Sequence, residues 1–209
     1  MGRKLIIPKA DFSAVAVSSL PIEYEELTAI VTSGTQYIDS GVNAESGVAI
    51  ELDVSGFTFG GNASSWLCGA RHQSEGSTYS FGILANHSLD YYRFDNGGLA
   101  QANINTDSPA RTKFFLSGTK GKVGETEVSL TEVSFDLGNN MYLFTTQKDG
   151  TPDTAIASVT CYGIKMWKDG SIVRNLRPAK RIADDEIGLY DIVNDVFYTN
   201  DGSGSFTGF

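Results

Sequence analysis

Cysteine is scarce in this sequence, with Cys68 and Cys161 the only two in 209 residues. Two cysteines cannot form the disulfide framework of a small secreted domain, and neither lies in a CxxC motif or in a Cys/His group with metal-ligand spacing. We therefore expect two buried free thiols. A single bridge between them stays open, because the sequence does not fix their separation.

Long apolar runs are also missing. Near the N-terminus, the run Leu5-Ile6-Ile7 is interrupted by Pro8 before it reaches the length of a signal peptide, and no stretch elsewhere approaches a membrane span. We expect a soluble chain that is made in a cytoplasm and has no membrane partner.

Positive charge is outnumbered, since 16 Lys and Arg against 25 Asp and Glu give a formal net charge of −9 at pH 7. A surface that follows phosphates needs a dominant basic field, so nucleic acid is not an expected partner. One basic stretch is interleaved with apolar residues, which is typical of a solvated strand edge rather than a nucleic-acid site. Its basic residues are Lys165, Lys168, Arg174, Arg177, Lys180 and Arg181.

Proline is rare at 5 residues, whereas glycine is frequent at 23, and 41% of the chain is hydrophobic. This composition is typical of a turn-rich β protein with a packed core. The dominant period is two: in residues 48–54, VAIELDV, apolar side chains alternate with small or acidic ones, so Glu51 and Asp53 meet water while the other face is buried. The length fits one such domain with a short appended arm.

Short strands separated by turns fill the rest of the chain, which indicates a sandwich. Further strands are predicted at 79–85, 89–94, 113–116, 127–133, 141–146 and 157–167. Turns are predicted at Asn96-Gly97-Gly98, Lys120-Gly121, Gly138-Asn139-Asn140, Asp149-Gly150 and Asp169-Gly170.

The C-terminal segment has the clearest local pattern. Asn194-Asp195, two residues that tolerate positive φ, interrupts the strand-like stretch 188–199 and predicts a tight β-hairpin. A turn at 200–202 then returns Ser205-Phe206 as a last short strand, which we expect beside residues 36–40.

Three segments resemble a known family. SGTQYIDSG at 33–41 resembles the opening strand of LamG-like, concanavalin A-like domains found in surface proteins and tailed-phage structural proteins of gut bacteria. IGLYDIVNDVFYTN at 187–200 with GSGSF at 202–206 resembles their closing hairpin, and YGIKMW at 162–167 with LRP at 176–178 is similar to the strand and exit before it. The resemblance implies an all-β, two-sheet antiparallel jelly-roll sandwich over residues 22–209, preceded by a short N-terminal arm over residues 1–21.

The predicted arm contains an apolar segment flanked by basic residues. Leu5, Ile6, Ile7 and Phe12 show no helical period and have no partner strand nearby in the sequence. They are candidates for an assembly arm that adds a strand to another subunit's sheet. An extra strand folded on the chain's own sandwich is an equal alternative.

Catalytic patterns are incomplete. Glucanases of this fold carry Glu-x-Asp-x-x-Glu, with one carboxylate as nucleophile and another as acid, whereas here Glu51 and Asp53 are followed by Gly56. The only histidines, His72 and His87, lie in no zinc or nucleophile motif, and no phosphate-binding glycine loop is present. We expect no enzymatic activity.

Sugar binding needs exposed aromatic rings together with hydrogen-bonding side chains. We expect His72, Tyr79, Tyr92, Asn96 and Gln147 to surround a shallow carbohydrate groove, although aromatic residues of a sandwich more often belong to the core. No cofactor and no metal ligand are predicted. Calcium binding stays an open but unsupported alternative, because the acidic loops have no EF-hand pattern. These loops contain Asp149, Asp153 and Asp184-Asp185.

The resemblance sets the functional expectation, since jelly rolls host many activities. It implies a non-catalytic virion structural protein of a tailed phage, such as a head fibre, capsid decoration or tail adhesin, assembled in the host cytoplasm. Its expected partners are other virion proteins, further copies of itself and a cell-surface glycan. The alternative is a carbohydrate-binding module of a protein on the bacterial cell surface; a degenerate glycoside hydrolase is a weaker one.

Overall fold

The computed structural model describes residues 20–58, 64–86, 91–98, 101–105, 110–153 and 157–209. In these ranges the chain forms strands, turns and loops, with no helix. The strands are, in chain order, β1 Tyr24–Glu26, β2 Ile30–Val31, β3 Ile38–Glu45, β4 Val48–Thr58, β5 Ser64–Ser74, β6 Ser77–Asn86, β7 Tyr91–Asn96, β8 Gln101–Asn105, β9 Arg111–Ser117, β10 Lys120–Val123, β11 Thr126–Ser129, β12 Asp136–Leu143, β13 Gln147–Lys148, β14 Thr151–Pro152, β15 Ser158–Lys168, β16 Ser171–Arg181, β17 Ile187–Asp191, β18 Val196–Tyr198 and β19 Thr207–Gly208.

The described strands form two sheets that pack face to face. The larger sheet has the order β11-β10-β9-β4-β15-β16-β17-β18; β1 pairs with β16, and β2 pairs with β15 and β19. The smaller sheet has the order β14-β13-β5-β6-β7-β8, and β12 joins β5 to β3. Pairing is antiparallel throughout these ranges apart from the short contact of β13 with β5. The predicted all-β, two-sheet jelly-roll sandwich is confirmed.

One hydrophobic core lies between the sheets. Strand alternation buries Ile50 and Leu52 of β4 completely, and Phe81 and Phe94 of the smaller sheet face them across the core. Full burial of each such side chain contributes about 1.5–3 kcal/mol. Val48 and Val54 of β4 belong to the same core, whereas Glu51 and Asp53 point outward, so this strand has an apolar inner face and a charged outer face.

Cys68 and Cys161 are free and fully buried, one in each sheet. The predicted free thiols are therefore confirmed, and no bridge joins them. Burial raises the pKa of each thiol to about 12.

Most predicted strands lie within observed ones, but several boundaries differ. The predicted turn at Gly138-Asn139-Asn140 is wrong, because these residues lie inside β12, where Gly138 has a φ of 64° at a shift in the register with β3. The predicted strand 141–146 ends at Leu143. The predicted turn at Lys120-Gly121 is wrong, because these residues begin β10 and the turn lies at residues 118–119. The predicted strand 127–133 ends at Ser129. The turn at Asp149-Gly150 is confirmed, and both residues have positive φ, at 47° and 89°.

The C-terminal hairpin is confirmed, while the partner of the last strand is not. β17 pairs with β18 across a turn in which Asp195 has a φ of 55°. The final strand is β19, and it pairs with β2 rather than with residues 36–40. Residues 36–40 instead meet the turn before it, because the backbone N–H of Asp201 donates to the carbonyl of Tyr37.

The predicted assembly-arm residues Leu5, Ile6, Ile7 and Phe12 lie outside the described residues, as does His87. The described chain begins at Leu20, which is buried against Ala179 and Tyr190 on the outer face of the larger sheet. Leu20, which belongs to the predicted arm of residues 1–21, therefore packs on the sandwich.

Candidate functional site

Three adjoining hollows cross the outer face of the larger sheet, with volumes of about 390, 160 and 500 Å³. The first two share Tyr162 and Arg177, and the second and third share Glu51 and Lys113, so the hollows lie side by side in one row. They cross β16, β15, β4, β9 and β10. At about 4.8 Å between strands the row is roughly 19 Å long. We refer to this row as the sheet trough.

Strand alternation turns the charged side chains of β4 into the sheet trough. Ile50 points inward and is fully buried, whereas the side chains of Glu51 and Asp53 are 25% and 22% exposed. The antiparallel register then places Phe115 of β9 on one side of Glu51 and Lys165 of β15 on the other. The predicted exposure of both acids is confirmed.

The two β4 carboxylates of the trough are paired with cations of β9. Nζ of Lys113 donates to Oε1 of Glu51 at 3.0 Å. Arg111 donates through Nε and Nη2 to the two carboxylate oxygens of Asp53, each at 2.9 Å. The hydrogen bond to Asp53 raises the pKa of Arg111. Its guanidinium carbon lies 3.7 Å from the ring centre of Tyr162, which orders this ring along the trough wall.

The incomplete glucanase pattern lies in this trough. Gly56 occupies the place of the third carboxylate, and its φ of 66° belongs to the left-handed region that favours glycine. A glycosidase needs one free carboxylate as nucleophile or base and a second group as acid. Here cations hold both Glu51 and Asp53, an arrangement suited to binding.

Aromatic rings border the charged groups of the trough. Phe115 and Trp167 meet edge to face with ring centres 6.3 Å apart, and both are half-buried. Tyr162 is half-buried as well and lines two of the hollows. Exposed rings beside charged hydrogen-bonding groups are the combination that sugar recognition uses.

The basic stretch was predicted to be a solvated strand edge, but β15 and β16 lie inside the larger sheet, each between two other strands. Acidic residues neutralise most of its cations. Its ion pairs are Lys168–Glu45, Arg174–Asp191, Arg177–Glu26, Lys180–Glu25 and Arg181–Asp184. Lys165 differs, because no carboxylate of the described residues lies within ion-pair distance of its Nζ. Lys122, which lines the third hollow, has no such partner either, so among the described residues the trough has two ammonium groups available for a ligand.

Three residues of the predicted carbohydrate groove lie at one end of the smaller sheet. His72 of β5 is opposite Tyr79 of β6, and Gln147 of β13 pairs on the other side of β5. Nδ1 of His72 lies 2.9 Å from Oδ1 of Asp149, and the His72 side chain is 45% exposed. Tyr79 packs against the core and Gln147 is buried, so only His72 offers much surface.

The other two predicted residues lie in the interior. Tyr92 is 3% exposed, and its ring meets the edge of Phe114 at 4.7 Å. Asn96 is fully buried and donates to the carbonyl of Thr131. Neither lines a surface groove, because both lie on the inward-facing side of β7, the same side as Phe94.

The acidic loops considered for calcium binding are paired with basic side chains. Asp149 contacts His72, Asp153 accepts from Arg71, and Asp184 accepts from Arg181. Within the described ranges, no group of three or more acidic, histidine or cysteine side chains is placed to hold a metal ion.

Apart from Glu51, Asp53 and the basic residues Lys165 and Arg177, the trough residues were not singled out in the sequence. Alternation within 111–116 and 162–167 indicates which side chains share a face, and it was the available signal for Phe115 and Trp167. That signal does not show that β9 and β15 both flank β4, because the three strands are far apart in the chain.

No protein-family model matches the chain, and no match is found among curated proteins either. No helix in the described part of the chain is long and apolar enough to cross a membrane. The fold and the site together define a class: a jelly-roll sandwich with a polar, aromatic-bordered trough across its larger sheet.

Proposed function

We propose that this chain is a non-catalytic glycan-binding jelly roll that holds an oligosaccharide across the sheet trough. The observation that carries the proposal is the trough itself, which is roughly 19 Å long at ordinary strand spacing. It combines half-buried rings with charged donors and acceptors, as extended sugar sites do. The ion-paired state of Glu51 and Asp53 supports binding without hydrolysis.

The setting that we propose is the virion of a tailed phage, with the chain as a head fibre, capsid decoration or tail adhesin. The resemblance of residues 33–41 and 187–206 to domains of such proteins supports it. In this setting the segment containing Leu5-Ile6-Ile7 and Phe12 attaches the chain to other virion subunits, and the sandwich faces outward. The alternative setting is a bacterial surface protein, in which the same trough serves a carbohydrate-binding module.

The glycan proposal is tested by replacing one ring at the border of the trough. Trp167→Ala removes the ring that packs on Phe115, which lines the third hollow, without removing a charge. We expect the affinity for an oligosaccharide selected on a glycan array to fall about tenfold, equivalent to about 1.4 kcal/mol. Isothermal titration measures this change.

Tyr91→Ala is the matched control, because Tyr91 is a half-buried ring on the smaller sheet. It should leave the affinity unchanged. Equal losses in the two variants, or no binding of any glycan by the wild type, would contradict the trough as the site. Hydrolysis of a β-glucan that disappears in Glu51→Gln would contradict the non-catalytic assignment.

The virion setting is tested by the mass of the protein in solution. We expect the full chain to form a multimer that becomes monomeric when residues 1–19 are removed. The truncation keeps Leu20, because Leu20 packs against Tyr190 of the sandwich. A full chain that is monomeric, together with glycan binding, would favour the surface module instead.

A further inference from the structure

The second hollow of the sheet trough, of about 160 Å³, lies between the other two. Its floor is open because β15 supplies Gly163 opposite Asp53, and glycine adds no side chain there. Lys165 of β15 and Asn175 of β16 are directly opposite each other in the strand register, and both line the hollow. Both are half-buried, so each retains surface that a ligand can reach.

Four cations lie in or beside the second hollow, and a carboxylate neutralises three of them. The three ion pairs are Lys113–Glu51, Arg111–Asp53 and Arg177–Glu26. Lys165 is the fourth cation. Glu51 lies directly opposite it on β4, but this carboxylate is bonded to Lys113 at 3.0 Å and is not within ion-pair distance of Lys165. With these partners counted, the hollow keeps one uncompensated positive charge, on the ammonium group of Lys165.

The third hollow differs, because its charges balance. Lys122 has no ion-pair partner among the described residues, but Glu125 lines the same hollow and Glu127 is opposite Lys122 on β11. The cations in this hollow are Lys113, Lys120 and Lys122, and the carboxylates in or beside it are Glu51, Glu125 and Glu127. An anionic ligand is therefore favoured in the second hollow rather than in the third.

Asn175 provides a neutral donor beside Lys165. Its backbone N–H donates to Oδ1 of Asp191, and its carbonyl accepts from the N–H of Ile192. Its side-chain amide has no hydrogen-bond partner among the described residues and lines the hollow. Directly opposite side chains of an antiparallel pair have Cβ atoms about 5 Å apart, so the ammonium and amide groups can contact the two oxygens of one carboxylate.

We propose that the glycan held by the sheet trough is acidic, and that the second hollow receives the carboxylate of a hexuronic acid between Nζ of Lys165 and the side-chain amide of Asn175. This inference rests on the proposed glycan function and names the class of sugar. A hydrogen bond between charged groups is about twice as strong as a neutral one, so Lys165 distinguishes an acid from its neutral counterpart. Two donor groups match the two oxygens of a carboxylate, whereas a sulfate ester presents three.

Isothermal titration with uronic tetrasaccharides and with their methyl esters tests the inference. The acids are oligomers of galacturonate, glucuronate and mannuronate, and each neutral ester is the matched ligand for its acid. We expect the wild type to bind at least one acid about tenfold more tightly than its ester, and added salt to reduce this ratio. Lys165→Gln should abolish the preference. Asn175→Ala should lower it about threefold, because one neutral hydrogen bond is lost.

Lys122→Gln is the matched control, because it removes an equal charge from the same cross-strand row. Lys122 and Lys165 are three strand spacings apart, roughly 14 Å. This separation exceeds the Debye length of about 8 Å at physiological ionic strength. Lys122→Gln should therefore change the ratio of acid to ester affinity less than about twofold. Equal losses in Lys122→Gln and Lys165→Gln would show a general field of the trough instead of a site.

Other outcomes separate this inference from the proposed function. Neutral glycans that bind with the loss expected for Trp167→Ala, while no acid binds more tightly than its ester, would overturn the acidic ligand and leave the glycan function standing. Absence of binding by every glycan would overturn both. A preference for acids that persists in Lys165→Gln removes the second hollow as their site. A sulfated galactose oligomer that binds more tightly than every uronate overturns the carboxylate.

Discussion

Burial controls the chemistry of the two cysteine side chains. Because the pKa of each thiol is raised to about 12, almost no thiolate is present at pH 8 in the folded chain. We expect Ellman's reagent to leave Cys68 and Cys161 unmodified in the native protein and to modify both after unfolding in guanidinium chloride. Rapid labelling of either thiol before unfolding would contradict the buried positions.

Asp95 makes stability depend on pH. Burial raises its pKa above the ordinary value of 3.8, against the opposing effects of Arg93 and Ser80. The folded chain therefore holds this proton more tightly than the unfolded chain does. Its contribution to stability is full below pH 3.8 and is lost as the pH rises through the raised value.

The variant Asp95→Asn has no proton to bind at this position. We expect the free energy of unfolding of the wild type to fall relative to that of Asp95→Asn as the pH rises from 3.8 upward. Urea unfolding of both proteins at a series of pH values measures the difference. A difference that stays constant, or that grows in favour of the wild type, would show that the pKa of Asp95 is not raised.

Side-chain orientation was predictable in strands where apolar and polar residues alternate without a break, so that one face is entirely apolar. Glu51 and Asp53 alternate with fully buried aliphatic residues, so their outward position followed from the sequence alone. Tyr91 and Tyr92 both suit either face, and the choice depends on Phe114 of the other sheet, which packs on Tyr92. The cluster of Arg71, Ser80, Arg93 and Asp95 on the smaller sheet was not predicted, because its residues come together through the pairing of β5, β6 and β7.

Among the strands, β10 depends on a glycine that lets the two sheets approach each other. A Cβ atom at Gly121 would lie 2.5 Å from the Cγ atom of Phe94, a fully buried residue of the smaller sheet. We expect Gly121→Ala to lower the free energy of unfolding by about 1–3 kcal/mol, the usual cost of overfilling a core. Urea unfolding gives the value.

Gly118→Ala in the preceding turn is the control for this change. A Cβ atom there meets nothing within 4 Å, and Gly118 does not have positive φ. The free energy of unfolding of Gly118→Ala should therefore stay within about 0.5 kcal/mol of the wild-type value. Equal effects of the two substitutions would point to glycine's backbone freedom rather than to contact with Phe94.

Strand positions were more predictable than strand partners. The hairpin of β17 and β18 is local, so Asn194-Asp195 was sufficient to predict it. The partner of β19 is not local, because β19 and β2 are separated by most of the chain. The sequence of residues 200–206 predicts a turn followed by a strand. It does not indicate which residues of the opening segment pair with that strand.

The complete sandwich has one tryptophan in each sheet, Trp66 in β5 and Trp167 in β15. Because both sheets bury their inner faces in one core, we expect them to unfold together. The variants Trp66→Phe and Trp167→Phe each leave one fluorescent reporter. Within each variant, the denaturation midpoint measured by fluorescence should equal that measured by circular dichroism.

Two separate midpoints within one variant would contradict a single cooperative unit. The comparison is made inside each variant, because Trp66→Phe also removes the ring beneath Arg71 and Arg93 and lowers overall stability.

The pairing of β19 with β2 also sets an order of events during synthesis. Residues 207–208 complete the sheet edge beside Ile30 and Val31, and the turn before them bonds to residues 35–39. Until residues 207–208 have been synthesised, β2 has only one of its two neighbours, β15, available. The larger sheet therefore keeps one open edge beside Ile30 and Val31 until the chain has been made through this point.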